Sequence, residues 1–215
     1  MTDRNTANEW LIVVPVKELG NAKTRLSARA ATVRQELALA FSLDVVTACL
    51  ASPRVQAVFV VTPDEAVSAA VRALGANIVS QKSDENLNES LIHGHTAAAA
   101  AFPHRRIGLL AADLPALRTH EVDLALAESE QWDRCFVADV AGTGTTFVAV
   151  APGISLQPRF GPRSRAAHAR AGFIELTTPE LTRMRCDVDT EVDLWYAQQL
   201  GVGHFTAVAL SAPPN

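Results

Sequence analysis

The chain has 215 residues, of which 48% are hydrophobic and 20% are charged, and its formal net charge is −4. This composition is sufficient to bury a core and excludes a disordered chain, and the acidic balance argues against a nucleic-acid binder. The three cysteines lack the spacing of a zinc site or a disulfide framework, which predicts a reduced, cytoplasmic protein. No apolar run approaches the roughly 20 residues of a membrane-spanning helix, so we expect no membrane association.

Strands and helices alternate along the chain. Apolar runs predict strands at 10–16, 55–61, 77–80, 107–111, 135–138, 146–151 and 173–176. Helical spacing and capping signals predict helices at 30–50, 65–74, 88–101, 119–128, 163–171 and 190–200. This order predicts an α/β fold with a mostly parallel sheet, in which the strands at 135–138 and 146–151 are candidates for antiparallel pairing. We expect one domain at 10–201, a disordered tail at 1–9 and a C-terminal tail at 202–215.

The loop after the first predicted strand carries three cations, Lys17, Lys23 and Arg25. In α/β proteins this loop lies at the carboxyl edge of the sheet, where ligands bind. Clustered cations at that edge predict an anionic ligand, with phosphate as the best candidate. The loop lacks both common glycine-rich phosphate motifs, and an ordinary solvated loop is the alternative.

Three carboxylates are candidates for a metal site. Asp113 follows an apolar strand and is well placed to hold Mg²⁺ against phosphate oxygens, although it could instead form a turn before Pro115. Asp187 and Asp189 are two residues apart, so an extended segment projects both to the same side. A cation between them relieves their repulsion, and helix capping by Asp189 is the alternative.

Two further segments could contact a ligand. Gly161 and Pro162 precede a short predicted helix that carries Ser164, and such a helix start attracts anions, whereas a tight turn is the alternative. For His168 the pattern favours a solvated helix face. Asn88 either caps the helix that follows it or accompanies Asn86, which could offer an amide to a base or a ribose; capping alone is favoured by the residues themselves.

These segments occur in a characteristic order over about residues 10–200. They are Pro15-Val16-Lys17, Ala22-Lys23-Thr24-Arg25-Leu26-Ser27, Asn88, Ala112-Asp113-Leu114-Pro115, Gly144-Thr145-Thr146, Phe160-Gly161, Ser164, His168 and Asp187-Val188-Asp189-Thr190. The ordered set resembles the phosphoenolpyruvate or 2-phospho-L-lactate guanylyltransferases of coenzyme F420 biosynthesis, in the nucleotidyltransferase superfamily. The resemblance implies a single-domain, Rossmann-like and GT-A-like α/β/α sandwich of three layers.

The resemblance also implies roles for individual residues. The implied catalytic residues are Lys17, Lys23, Arg25 and Asp113, and the implied nucleotide-binding residues are Lys17, Lys23, Arg25 and Asn88. The implied phosphoenolpyruvate ligands are Thr146, Gly161 and Ser164, and the implied ligands of two Mg²⁺ ions are Asp113, Asp187 and Asp189. Because some relatives carry Asn where this chain has Thr146, the choice of acid stays open. Implied partners are GTP, phosphoenolpyruvate or 2-phospho-L-lactate, a second copy of the chain, and a downstream F420 enzyme that accepts the product.

The implied reaction transfers GMP from GTP to phosphoenolpyruvate, giving enolpyruvyl-2-diphospho-5′-guanosine and pyrophosphate. Transfer to 2-phospho-L-lactate or 3-phosphoglycerate is the first alternative. A sugar-phosphate or molybdopterin nucleotidyltransferase is disfavoured because the first loop contains only Gly20. A non-catalytic nucleotide-binding module is disfavoured by the three carboxylates. A flavodoxin-like signalling domain is disfavoured because it requires an acidic cluster after the first strand, where this chain has a basic one.

Overall fold

The computed structural model describes residues 9–21, 23, 25–26, 29–81 and 85–211. Ala22, Thr24 and Ser27 of the basic motif and residues 1–8 of the predicted tail at 1–9 therefore lie outside it. The strands are β1 (Trp10–Pro15), β2 (Val55–Thr62), β3 (Asn77–Ser80), β4 (Arg106–Leu110), β5 (Arg134–Ala138), β6 (Thr145–Val150) and β7 (Ile174–Glu175). The helices are α1 (Ala31–Leu50), α2 (Glu65–Ala73), α3 (Leu87–Ala101), α4 (Thr119–Ser129), α5 (Ser164–Arg170), α6 (Glu191–Leu200) and α7 (His204–Ser211), with a short 3₁₀ helix at Leu19–Asn21.

The seven strands form one sheet in the order β3-β2-β1-β4-β6-β5-β7. Strands β1 to β4 are mutually parallel, β6 is antiparallel to both β4 and β5, and β7 is parallel to β5. The predicted single α/β domain with a mostly parallel sheet is therefore confirmed. The carboxyl ends of β1, β4 and β5 meet at one edge, and because β6 runs in the opposite direction, its first residues lie at that same edge.

Helices cover both faces of the sheet. Alternate residues of β1 face opposite sides: Trp10, Ile12 and Val14 belong to the core under α1, α2 and α4, whereas Leu11 and Val13 belong to the core under α3. Both cores are largely aliphatic, and the result is the predicted three-layer sandwich. No helix that the structure describes is both long and apolar enough to cross a membrane.

The segment after residue 202 differs from the predicted tail. As far as Ser211 it is a helix, α7, and its apolar residues pack with α1. Asp44 of α1 is buried and accepts hydrogen bonds from the main-chain N–H groups of Phe205 and Thr206, both at 3.0 Å. These N–H groups are among those that the start of a helix leaves without an internal partner, so Asp44 caps α7 from a distant helix.

Candidate active site

A cavity of about 940 Å³ opens at the carboxyl edge of the sheet. All the predicted site residues except Asn88 line it, namely Lys17, Lys23, Arg25, Asp113, Thr146, Gly161, Ser164, Asp187 and Asp189. They come from the loops after β1 and β4, the start of β6, the segment before α5 and the segment before α6. The topology therefore brings together residues that are far apart in the sequence.

Apolar contacts and main-chain hydrogen bonds hold the basic loop over this edge. The N–H of Val16 donates to the carbonyl of Val61 at 2.9 Å, and the N–H of Leu19 donates to the Asp64 carboxylate at 3.0 Å. Leu26 is fully buried in a small core with residues of α1 and α6. Because Leu26 anchors the end of the loop, Lys23 and Arg25 stay beside the cavity.

Lys23 links two of the three predicted metal ligands. Its Nζ lies 2.6 Å from Asp113 Oδ2 and 3.2 Å from Asp189 Oδ1, and a guanidinium nitrogen of Arg25 lies 3.6 Å from Asp189 Oδ2. Burial lowers the pKa of Lys23, but the charges of Asp113 and Asp189 outweigh it and leave that pKa above its usual value. Lys23 and Arg25 therefore contact these carboxylates directly.

The cavity carries an excess of carboxylates. Burial, and then the charges of Asp113, Asp139 and Asp189, raise the pKa of Asp187 to about 7. Sequence reasoning missed Asp139, which accepts the N–H groups of Thr143 and Gly144 at 2.8 Å each and so shapes the loop before β6. Its signal was present, because Asp139 directly follows β5 as an acidic residue at the ligand edge.

The carboxylates are arranged so that two of them can share one cation, but three do not surround it. Among the described residues, no three Asp, Glu, His or Cys side chains converge on one point closely enough to hold an ion. Mg²⁺ needs only one or two carboxylates when substrate phosphates and waters complete its shell, and Asp113 and Asp189 already share one cation, the Lys23 ammonium. A joint role for Asp113, Asp187 and Asp189 stays a prediction.

The cavity also presents neutral donors. Thr146 is 1% exposed, and its Oγ1 has no hydrogen-bond partner among the residues that the structure describes. Ser164 is equally buried, and Gly161 has a φ of +124°, which favours glycine because a Cβ would strain that backbone. A buried hydroxyl without a partner is costly, so Thr146 has a donor available for a ligand.

Asn86 and Asn88 differ from their expected roles. Asn86 caps α3, because its Oδ1 accepts the N–H groups of Asn88 at 3.0 Å and Glu89 at 3.1 Å. Capping by Asn88 is therefore wrong. Its side chain is outside the cavity lining and binds the main chain of Phe160 on both sides: Nδ2 donates to the carbonyl at 3.0 Å, and Oδ1 accepts the N–H at 2.9 Å.

His168 is fully buried, so the predicted solvated face is wrong. Its Nε2 accepts the N–H of Arg159 at 3.0 Å, which leaves the ring proton on Nδ1, and Nδ1 lies 3.0 Å from Thr145 Oγ1. Burial is the main cause that lowers the pKa of His168 to about 4, so the ring is neutral near pH 7. The helical spacing of α5 could not reveal this, because the partners lie outside the helix.

Comparison with known proteins identifies relatives over almost the whole chain. The family model described as Guanylyl transferase CofC like matches residues 10–194. A phosphoenolpyruvate guanylyltransferase of Thermomonospora curvata is 45% identical over 213 residues, covering 99% of this chain and 93% of the relative. One of Streptomyces coelicolor is 46% identical, covering 93% and 94% respectively.

Solved structures agree on the fold. A nucleotidyl transferase from Methanothermobacter superposes with a TM-score of 0.58 and 17% identity, covering 90% of this chain and 98% of that one. At that identity the similarity concerns the fold alone, whereas the family model covers most of the sequence. The chain therefore belongs to the family of CofC-like guanylyl transferases.

Proposed function

We propose that the protein transfers GMP from GTP to phosphoenolpyruvate and releases pyrophosphate. One observation supports this most directly: a single cavity combines a cationic loop, several carboxylates and the hydroxyl of Thr146, which has no partner within the described part of the chain. Cations suit a nucleoside triphosphate, and the hydroxyl groups of Thr146 and Ser164 suit a second, smaller anion. The relatives' names supply the identities of the two substrates.

The proposed chemistry needs no general base. A phosphate oxygen of phosphoenolpyruvate, already ionised at neutral pH, attacks the α-phosphorus of GTP and forms a new P–O bond. The bond between that phosphorus and the oxygen bridging to the β-phosphate breaks, and pyrophosphate leaves with the electron pair. His168 is consistent with this scheme, because it is buried and does not itself line the cavity.

The main task of the site is to bring two polyanions together. Mg²⁺, held by Asp113, Asp187 and Asp189 as one or two ions, supplies charge neutralisation when bound. Lys17 and Arg25 bind triphosphate oxygens, and Lys23 exchanges its carboxylate partners for them as pyrophosphate charge develops. Thr146, Gly161 and Ser164 orient the acid so that its phosphate faces the α-phosphorus.

A matrix of substrates tests the function. GTP and ATP are crossed with phosphoenolpyruvate, 2-phospho-L-lactate and 3-phosphoglycerate, and pyrophosphate release is measured with Mg²⁺ present. The proposal predicts the highest kcat/KM for GTP with phosphoenolpyruvate. Preference for another acid would reassign the acceptor, and nucleotide binding without pyrophosphate release would indicate a binding module.

The variant Asp189→Asn tests the metal assignment in the same assay. Its turnover should fall at least a hundredfold, since a metal-binding charge is worth about 3 kcal/mol or more in the transition state. Glu191→Gln is the control, because Glu191 is close in sequence but pairs with Arg29 outside the cavity lining. Normal turnover of Asp189→Asn at saturating Mg²⁺ would contradict the metal assignment.

The proposal also includes a setting and partners. Cys49, Cys135 and Cys186 are buried free thiols, which supports a reducing, cytoplasmic compartment. Val192 and Trp195 are exposed apolar residues on α6, which supports self-association as a homodimer. A downstream enzyme of coenzyme F420 biosynthesis would consume the activated diphosphate product.

A further inference from the structure

The segment that leads into α5 and includes its first residue, here called the acid loop (Arg159–Ser164), has little internal support. It contributes Phe160, Gly161 and Ser164 to the cavity lining but contains no strand or helix before Ser164. Gly161 and Arg163 both have left-handed backbones, with φ of +124° and +60°. Glycine adopts such a backbone without strain, but Arg163 carries a Cβ and keeps it only where its surroundings hold it, so contacts from other elements must fix the acid loop.

Asn88 supplies one of these contacts. Its amide makes a two-point hydrogen bond with the main chain of Phe160, a residue 72 positions later. A carboxamide matches a peptide group in this way because it offers a donor and an acceptor side by side. Asn88 lies in the first turn of α3, and Leu87 and Leu91 of that helix line the cavity. The two-point bond therefore ties the acid loop to a rigid element at the cavity wall.

His168 holds the neighbouring residue, Arg159. Its Nε2 accepts the N–H of Arg159 at 3.0 Å, and its Nδ1 lies 3.0 Å from the hydroxyl of Thr145, which precedes Thr146. The imidazole packs among the rings of Phe136, Phe160 and Phe173, with centroids 5.2–5.6 Å away. Consecutive main-chain N–H groups, those of Arg159 and Phe160, are thus held by two side chains from different helices.

We infer that Asn88 is a positioning residue for the acid substrate and acts through the acid loop, with His168 as its counterpart. The inference rests on the proposed function, because it takes Gly161 and Ser164 as ligands of the phosphorylated acid. It also replaces the expected role of Asn88 as a nucleotide ligand with a role in binding the acid substrate. The two roles predict opposite kinetic effects.

Asn88→Ala distinguishes them. With the acid loop released, the KM of the acid should rise about tenfold, whereas the KM of GTP should change less than about twofold. Asn88→Asp keeps the acceptor for the Phe160 N–H but loses the donor, so it should rescue part of the effect. A rise in the KM of GTP with an unchanged KM of the acid would overturn the inference in favour of nucleotide binding.

Asn86→Ala is the matched control on the same helix. It removes the cap of α3 and should lower stability, yet it leaves the bonds between Asn88 and Phe160 intact. If Asn88 acted only through the stability of α3, both variants would raise the KM of the acid equally. That outcome would also overturn the inference.

Hydrogen exchange separates this inference from the proposed function. In the wild type the N–H of Phe160 is held by Asn88, so exchange in a peptide covering the acid loop should accelerate in Asn88→Ala and not in Asn86→Ala. This readout needs no turnover, and unchanged exchange would contradict the positioning role. The KM values are measured with whichever acid the wild type uses. If the wild type does not use phosphoenolpyruvate, only the proposed acceptor is contradicted, and the positioning role of Asn88 is still tested.

Discussion

At the scale of single residues, His168 couples the acid loop to pH. Its folded-state pKa of about 4 lies below the usual value for a histidine, because the buried ring disfavours the charged form. Above about pH 6.5 the ring is neutral in both folded and unfolded states, so its contribution to stability is fully present there. As the pH falls from about 6.5 towards 4, His168 becomes protonated in the unfolded state but stays neutral in the folded state, so its contribution to stability is lost.

The wild type should therefore lose about 2 kcal/mol of unfolding free energy through His168 between about pH 7.5 and pH 5. His168→Gln cannot titrate, so its unfolding free energy, measured with urea at both pH values, should depend less on pH by about that amount. If the variant does not fold, NMR titration of the wild-type ring gives the answer. A ring that titrates near pH 6.5 would contradict the prediction.

The sequence could predict residues whose position follows from a strand end, and it could not predict those whose role depends on a distant partner. Asp113 follows β4 at the edge where ligands bind, and it lines the cavity. Asn88 and His168 belong to helices whose periodicity says nothing about Phe160 or Arg159. Their functions depend on main-chain groups of a loop whose course only tertiary packing defines.

At the scale of elements, α7 is a helix within the segment 202–215 that was predicted as a tail. It has 8 residues, which is too short for a helix that is stable alone, so packing against α1 and capping by Asp44 must stabilise its helical conformation. Asp44 lies in the interior of α1, where helical spacing alone would give it no special role. Its carboxylate is buried and satisfies two N–H groups of α7, an arrangement that the linear sequence does not display.

Asp44→Ala should lower the free energy of unfolding by about 1–3 kcal/mol, because one buried and one partly buried N–H group lose their acceptor. Asp44→Asn retains one acceptor oxygen and should lose less. Urea unfolding measures both, with His204→Ala as a control at an exposed position of the same helix. Substrate KM values should not change, since α7 does not line the cavity, and a stable Asp44→Ala protein would contradict the capping role.

At the scale of the whole molecule, two parts of the fold supply the residues that line the cavity. The parallel strands β1 and β4 supply the basic loop and Asp113, whereas the reversed strand β6 and α5 supply Thr146 and Ser164. Strand–helix alternation predicted the first part from the sequence. The second depends on the antiparallel insertion of β6 between β4 and β5, which the apolar pattern indicated only weakly.

This division predicts separable substrate effects. Ser164→Ala removes a buried hydroxyl from the acid side, so the KM of the acid should rise about tenfold and the KM of GTP should stay within about twofold. Lys17→Ala removes a cation from the nucleotide side and should give the reverse pattern. Each variant is the control for the other, and unfolding midpoints verify that both remain folded. Equal changes in both KM values would mean that the two substrates share these residues, and the division of the cavity into a nucleotide side and an acid side would have to be abandoned.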